Sequence, residues 1–279
     1  MTEGVTDRYG VMGYPVSHSR SPVIHRLFAI QTKQNLQYEL LQVAPEKLET
    51  AVRQFGRTGG KGLNITVPHK SEVVRLIDDM SERASNAGAV NTLVFRDNDI
   101  YGDNTDGVGF MHDLQLNQGV QLKDAKILIL GAGGATRGIV GPLLEAEPDS
   151  IVIANRTFPK ARNLADHFSN QGPVDACRFQ DVNSLPVYDL VINATSAGVK
   201  GETPPYPEEA IHPNTVCYDL SYGLTPTPFS LWAIKHGAAK SVMGWGMLVE
   251  QAAESFHIWR GIRPDTASVL KQLSVNIKA

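Results

Sequence analysis

Residues Lys126 to Gly138 read Lys-Ile-Leu-Ile-Leu-Gly-Ala-Gly-Gly-Ala-Thr-Arg-Gly, an apolar strand that runs straight into a glycine-rich turn and then a helix. Gly131 and Gly133 let the backbone turn tightly and come close to a ligand with no side chain in the way. The helix behind them points free N–H groups and a positive dipole end at the same place. A pyrophosphate suits this arrangement, so a dinucleotide and redox chemistry are expected. The pattern departs from G-x-G-x-x-G at its third glycine, where Thr136 stands, and close helix–strand packing there must be achieved another way.

The next apolar strand, Ser150 to Ala154, ends in Asn155-Arg156-Thr157. An NAD site places an acid at such a strand end to hold the ribose 2′-OH. Here Arg156 supplies a planar cation suited to a 2′-phosphate, with Asn155 and Thr157 as neutral hydrogen-bonding neighbours and Lys160 one helical turn on. Cations at a helix start oppose the dipole and call for an anion, which favours a phosphate clamp over a merely solvated helix start.

Four polar segments sit at strand ends or turns, where ligand groups gather: Ser17 to Ser21, Asn64 to Lys70, Asn91-Thr92, and Gly102 to Gly107. Their hydroxyls, amides, amine and carboxylate suit a small polyhydroxylated substrate. Lys70 and Asp106 are the candidate proton-handling pair, since interconverting an alcohol and a ketone needs a hydride carrier and an acid or base for the hydroxyl proton. A carboxylate beside a lysine raises its pKa, so burial would have to oppose it and the two would titrate as a unit. Spacing alone equally allows Lys70 to cap a surface turn and Asp106 to be a helix N-cap. His18, His25 and His69 lack metal-ligand spacing and read as structural, so no metal is expected. Ser19 and Ser21 lack a nucleophile-elbow context and read as hydrogen-bonders. Trp245 and Trp259 read as packing residues and Asp78-Asp79 as a solvated helix end.

The elements that must position these groups alternate between apolar strands and amphipathic helices, which argues for an α/β fold. Strands are expected at Tyr9 to Met12, Tyr38 to Val43 and Gly62 to Val67, with a hairpin of Thr92 to Phe95 and Ile100-Tyr101 about Asp97-Asn98. Helices are expected from Ser21-Pro22, with Ser21 as N-cap, over Leu48 to Phe55, and through Phe110 and Leu114. Beyond the glycine turn, strands are expected at Ile151, Leu190 to Ile192 and Val216 to Leu220. Thr203 to Pro207 reads as a surface loop, Gly244-Trp245-Gly246 as a hinge, and Met247 to Trp259 and Thr266 to Ile277 as helices. This order implies two domains, one discontinuous, with a site in the cleft between them.

The 279 residues carry a net charge of -3, which gives no case for nucleic acid or an anionic membrane as partner. Met1 to Gly10 is polar, no apolar run approaches the ~20 residues of a spanning helix, and Cys177 and Cys217 are far apart, so a cytoplasmic protein with reduced thiols is expected. Monomer and homodimer both remain open.

Several ordered motifs together resemble the shikimate dehydrogenase family. They are Ser17-His18-Ser19-Arg20-Ser21-Pro22, Gly62 to Lys70, Ala87-Gly88-Ala89-Val90-Asn91-Thr92, Asp103-Asn104-Thr105-Asp106-Gly107, the glycine turn, Asn155-Arg156-Thr157, Asn193-Ala194-Thr195-Ser196, and Gly246-Met247-Leu248-Val249-Glu250-Gln251. The resemblance implies an α/β substrate domain of residues 1–106 and 244–279 and a Rossmann-type doubly wound NADP domain of residues 107–243, with the C-terminal helices returning to the first. It implies NADPH-dependent reduction of 3-dehydroshikimate to shikimate in aromatic amino acid biosynthesis; domain closure over the cleft is expected because hydride transfer benefits from excluding water. It places Lys70 and Asp106 on the catalytic dyad, and Ser19, Ser21, Thr66, Asn91, Tyr222 and Gln251 on the substrate. NADP falls to Gly131, Ala132, Gly133, Gly134, Ala135, Asn155, Arg156, Thr157, Lys160, Thr195 and Gly244, although the family often has Arg at the position of Lys160. Two further departures are Met243, where the family usually has Asp, and Tyr14 before Pro15, where Asn is common. The rival readings are a quinate/shikimate dehydrogenase using NAD and a non-catalytic NADP-binding regulator.

The strand end at Arg156 makes a direct prediction. The protein should bind NADP more tightly than NAD in a titration, and equal dissociation constants would remove the phosphate clamp.

Overall fold

The computed structural model describes residues 6–97, 99–184, 187–195 and 206–278. Asn98, Ser196 and residues 203–205 of the expected proline-rich loop lie outside the described residues, as do residues 1–5. The chain forms two compact units, Met1–Gly109 with Leu248–Leu273, and Phe110–Met247 with Ser274–Ala279.

The first unit is built on β1 (Asp7–Gly13), β2 (Leu36–Gln42), β3 (Gly60–Ile65), β4 (Asp79–Met80), β5 (Thr92–Arg96) and β6 (Asp99–Asp103), in the sheet order β2-β1-β3-β5-β6-β4. β1 runs parallel to β2 and β3, whereas β5 runs antiparallel to β3 and β6. Helices α1 (Ser21–Thr32), α2 (Leu48–Arg57) and α3 (Glu82–Ala87) connect them. α2 buries Leu48, Val52 and Phe55, an apolar stripe at helical spacing, against Leu63, Ile65 and Leu93 of the sheet. Gly62 and Asn64, on the other face of β3, meet helix α8 (Trp245–Arg260): a Cβ on Gly62 would collide with the Trp259 indole, and Asn64 donates to Ser255. The ladder between β1 and β3 slips by one residue, with Arg8 opposite Gly60 and Tyr9 opposite Gly62, leaving Lys61 over.

The second unit holds six parallel strands in the order β12-β11-β10-β7-β8-β9. They are β7 (Lys126–Leu130), β8 (Ser150–Asn155), β9 (Val174–Arg178), β10 (Leu190–Asn193), β11 (Val216–Asp219) and β12 (Lys240–Met243). α5 (Gly134–Glu145), α6 (Phe158–Phe168) and α7 (Pro228–Lys235) form the crossovers from β7 to β8, β8 to β9 and β11 to β12. The central strand β7 is apolar on both faces because both are covered: Ile127 and Ile129 pack with Ile139 and Leu143, Leu128 and Leu130 with Val191 and Phe229. α4 (Asp106–Met111) leads into a π-helical stretch, His112–Asn117, whose buried Asp113 accepts a hydrogen bond from the Tyr218 hydroxyl. Among the described residues no helix is long and apolar enough to cross a membrane.

Three local expectations need correction. Ser21 is the first residue of α1 and not its cap; Arg20 holds the cap position with no side-chain bond, and the Ser21 N–H is satisfied by Ser19 Oγ at 3.3 Å. Asp78 does not end a helix: its carboxylate accepts the Ile100 N–H at 2.8 Å, and Asp79 belongs to β4. α8 opens at Trp245, two residues before the expected start at Met247, so Trp245 and Gly246 are helical. A short helix start has no apolar run of its own to announce it, and glycine content read as a break.

His25 is structural in the full sense. It is completely buried on α1, lies flat on Tyr38 with ring centroids 4.2 Å apart, and touches Phe256 and Trp259. Burial pushes its pKa down to about 3; the nearby Asn64 side chain offsets only part of this, without reaching hydrogen-bonding geometry. The unfolded chain takes up this proton near pH 6.5 and the folded chain does not, so stability is lost as pH falls from 6.5 toward 3. In urea titrations the His25→Phe variant should show a shallower acid slope than the wild type, by up to about 1.4 kcal/mol per pH unit. Parallel slopes would show that His25 is protonated in the fold.

Candidate active site

The polar segments of the first unit converge because of strand direction. The carboxyl ends of parallel β1 and β3 lead into Ser17–Ser21 and Thr66–Lys70. β5 is antiparallel, so its start, with Asn91 just before it, falls at that same edge: Thr92 lies opposite Asn64 at the end of β3 and opposite Asp103 at the end of β6. Asp106 follows β6 by one turn. Four loops from four strands therefore open on one sheet edge.

At that edge Lys70 Nζ donates to Asp106 Oδ2 at 2.5 Å, with the two side chains 13% and 5% exposed. Asp106 is fixed from three sides. Asn91 Nδ2 donates to its Oδ1 at 2.9 Å, its own N–H is held by Asn104 Oδ1 at 3.1 Å, and Lys70 holds its other oxygen. The Lys70 backbone is held as well, its carbonyl accepting the Val90 N–H at 2.8 Å. Asn91 Oδ1 accepts the Thr105 N–H at 2.8 Å, and its amide is 3.4 Å from Gln251 Oε1 on α8. Behind it Asn64, Thr92, Thr105 and Ser255 form a fully buried hydrogen-bonded cluster. A satisfied polar network of this kind holds its members in one geometry.

A second charged group braces the same turn. Arg83 on α3 binds Asp103 through Nε at 2.7 Å and Nη2 at 2.9 Å, and also reaches Glu254 on α8 at 3.1 Å. Burial works against the Arg83 charge, but the bonds and charges of Asp103 and Glu254 outweigh it and raise its pKa. Nothing in the spacing of Arg83, Asp103 and Glu254 announces this brace beyond the polar character of each residue. The buried cluster was foreshadowed by Asn64 and Thr92, polar residues inside otherwise apolar strands.

The other candidate substrate residues have partners of their own. Ser19 Oγ donates to Ser21 Oγ at 3.1 Å, both at the mouth of α1. Thr66 is anchored by its N–H to the Met12 carbonyl at 2.9 Å. Tyr222 belongs to the second unit and packs against Trp245, ring centroids 4.7 Å apart.

In the second unit the glycine turn follows β7, where the chain order of the sheet reverses between β7 and β10, the position at which such sheets bind ligands. Gly131 has φ +110°, and a Cβ there would lie 2.9 Å from the Ala194 carbonyl. A Cβ on Gly133 would instead project into open space, so the N-terminus of α5 faces room for ligand atoms. Ala132, Gly134 and Ala135 complete this turn. Thr136, in place of the third glycine, is fully buried and its hydroxyl donates to the Gly131 carbonyl at 2.9 Å, which closes the turn. Thr195 donates its hydroxyl to Asn193 Oδ1 at 2.7 Å beyond β10, and Gly244 binds the Ser221 carbonyl at 3.0 Å beyond β12. Asn193 also donates to Asp219, whose pKa is raised by burial. At the end of β8 the Asn155 amide donates to the Thr157 carbonyl at 2.9 Å, and Arg156 and Lys160 are exposed. This donor set, backbone N–H groups at an open glycine turn with cations beside it, fits a dinucleotide carrying an extra phosphate. Among the described residues no cluster of His, Cys, Asp or Glu could hold a metal, and both cysteines are free thiols with pKa values raised by burial.

Comparison with known proteins gives concordant matches. Residues 11–93 match the family profile described as shikimate dehydrogenase substrate binding domain, residues 113–201 that of shikimate/quinate 5-dehydrogenase, and residues 244–273 that of the shikimate 5′-dehydrogenase C-terminal domain. The chain is 51% identical to the shikimate dehydrogenase (NADP(+)) of Alkalilimnicola ehrlichii over 96% of its own length and 99% of the relative's. Its structure is similar to the Ael1 enzyme of Pseudomonas putida, at TM-score 0.87 and 42% identity over 96% of this chain and 98% of that one. It is also similar to shikimate 5-dehydrogenase of Thermus thermophilus solved with NADP(H) and shikimate, at TM-score 0.84 and 31% identity over 95% and 98% of the two chains.

The close approach at Gly131 sets a testable limit. Gly131→Ala should cost about 1–3 kcal/mol of stability in urea unfolding, the usual scale for a side chain forced into such backbone geometry. It should also weaken binding of 2′,5′-ADP. Unchanged stability would show that the Ala194 segment can give way.

Proposed function

The chain belongs to the shikimate dehydrogenase family, and we propose from its site that it catalyses the reversible, NADPH-dependent reduction of 3-dehydroshikimate to shikimate in aromatic amino acid biosynthesis. The observation that carries this reading is the ion pair of half-buried Lys70 with buried Asp106, set among hydroxyl and amide groups on one sheet edge. Residues 1–106 with 244–279 form the substrate domain in this reading, and residues 107–243 form the NADP domain.

Ser19 and Ser21 offer hydroxyl donors to the substrate carboxylate. Thr66, Asn91, Gln251 and Tyr222 hold its remaining oxygens. Lys70 gives its proton to the ketone oxygen, and in the reverse direction takes it from the hydroxyl. Asp106 keeps Nζ in place through Oδ2 and binds a neighbouring ring hydroxyl. The turn from Gly131 to Ala135 holds the pyrophosphate, Asn155, Arg156, Thr157 and Lys160 hold the 2′-phosphate, and Thr195 and Gly244 complete the cofactor site. When bound, NADPH supplies the hydride for the ketone carbon. Such a division of labour asks of Lys70 and Asp106 the factor typical of general acid–base catalysis.

Initial rates with shikimate and NADP, beside quinate and NAD controls, test the reading directly: turnover with shikimate and NADP is expected, and turnover with quinate or NAD alone would overturn it. Lys70→Ala should lower kcat by about 10²-fold or more with a smaller change in KM. A near wild-type kcat in that variant would take Lys70 out of the chemistry.

A further inference from the structure

We infer that Arg178, at the end of β9, is a second arginine of the 2′-phosphate pocket and helps set the preference for NADP over NAD. The inference rests on the reading of Asn155 to Lys160 as a phosphate clamp. Arg178 is the partner of Asn155 in the parallel ladder of β8 and β9. Adjacent strands lie about 5 Å apart, so its side chain departs from the same carboxyl edge as the clamp, one strand over. Its guanidinium is exposed and rests against an aromatic ring. It sits 5.8 Å from the ring centroid of Phe158, the residue that follows Thr157 and opens α6.

The charge pattern points the same way. Arg162, further along α6, is neutralised by Asp166 and Asp175. Among the described residues no carboxylate forms an ion pair with Arg156, Lys160 or Arg178. Three cations are thus left around the start of a helix whose dipole disfavours them. A phosphate monoester on the ribose supplies the missing negative charge, and a guanidinium can meet two of its oxygens at once. The 2′-hydroxyl of NAD offers no such charge. Arg178 lies far along the chain from the glycine turn and from Arg156, so only the β8–β9 register brings it to the clamp.

Calorimetric titration of the full chain with 2′,5′-ADP and with 5′-ADP separates the possibilities, using wild type, Arg178→Gln and Arg156→Gln. Arg178 is exposed, and thermal unfolding of each variant confirms the fold. The expected result is that Arg178→Gln weakens 2′,5′-ADP by about tenfold or more, leaves 5′-ADP within about twofold, and flattens the salt dependence of 2′,5′-ADP binding. If Arg178→Gln binds 2′,5′-ADP like wild type while Arg156→Gln does not, the clamp stands and the inference about Arg178 falls. If neither variant weakens 2′,5′-ADP, the clamp reading falls and takes the inference with it. Equal weakening of both nucleotides would also overturn it, because Arg178 would then act through packing on Phe158 and not on the phosphate.

Discussion

A carboxylate as enclosed as Asp106 must be neutralised and fully hydrogen-bonded, and that requirement organises the first unit. Lys70 supplies the charge, Asn91 a neutral donor, and Asn104 the bond that fixes the backbone. Each partner comes from a different loop, so the sheet must bring the ends of β3 and β6 and the start of β5 to one edge. The antiparallel insertion of β5 between β3 and β6 does this. A uniformly parallel sheet would have carried Asn91 to the opposite edge. The Arg83 brace repeats the logic one layer out: buried Asp103 needs its own cation, and meeting that need ties α3 and α8 to the turn that carries Asp106.

In the proposed function the second unit meets its ligand by different means. Its glycine turn contributes backbone N–H groups and a helix dipole, which cost no desolvated side-chain charge when the ligand is away. The cations beside it are exposed, so they too stay hydrated until an anion arrives. The first unit holds a largely enclosed ion pair, whereas the second presents an exposed set of donors. Proton handling needs fixed geometry, and anion capture tolerates a softer arrangement.

Much of this was legible in the residues. The run from Lys126 to Gly134 declares strand, turn and helix through its period and its glycines, and α2 declares itself through Leu48, Val52 and Phe55. The strands that escaped reading, β4, β9 and β12, are short edge elements. Asp79-Met80 is too short for any period, and Val174–Arg178 and Lys240–Met243 mix polar and apolar residues because one side is solvated. Pairing with a neighbour makes them strands, and pairing is not local information. The types of Lys70, Asp106 and Asn91 suggested chemistry, but their joining depended on strand direction, which no spacing reveals. Arg178 was invisible for the same reason.

The spare residue in the β1–β3 ladder acts as a phase setter. Side chains alternate along a strand, so every residue after an unpaired one is turned over relative to the neighbouring strand. Lys61 sits just before Gly62 and Asn64, which face α8 at Trp259 and Ser255, and before Leu63 and Ile65, which face the apolar core. Two strand positions advance ~6.6 Å, close to the ~6 Å covered by the four helix residues from Ser255 to Trp259, which lets β3 and α8 mesh like a rack and pinion. The odd tooth at Lys61 decides which teeth engage. A surface lysine with no bond to the site thereby determines that an amide, and not an isoleucine, is presented to the network behind Asp106.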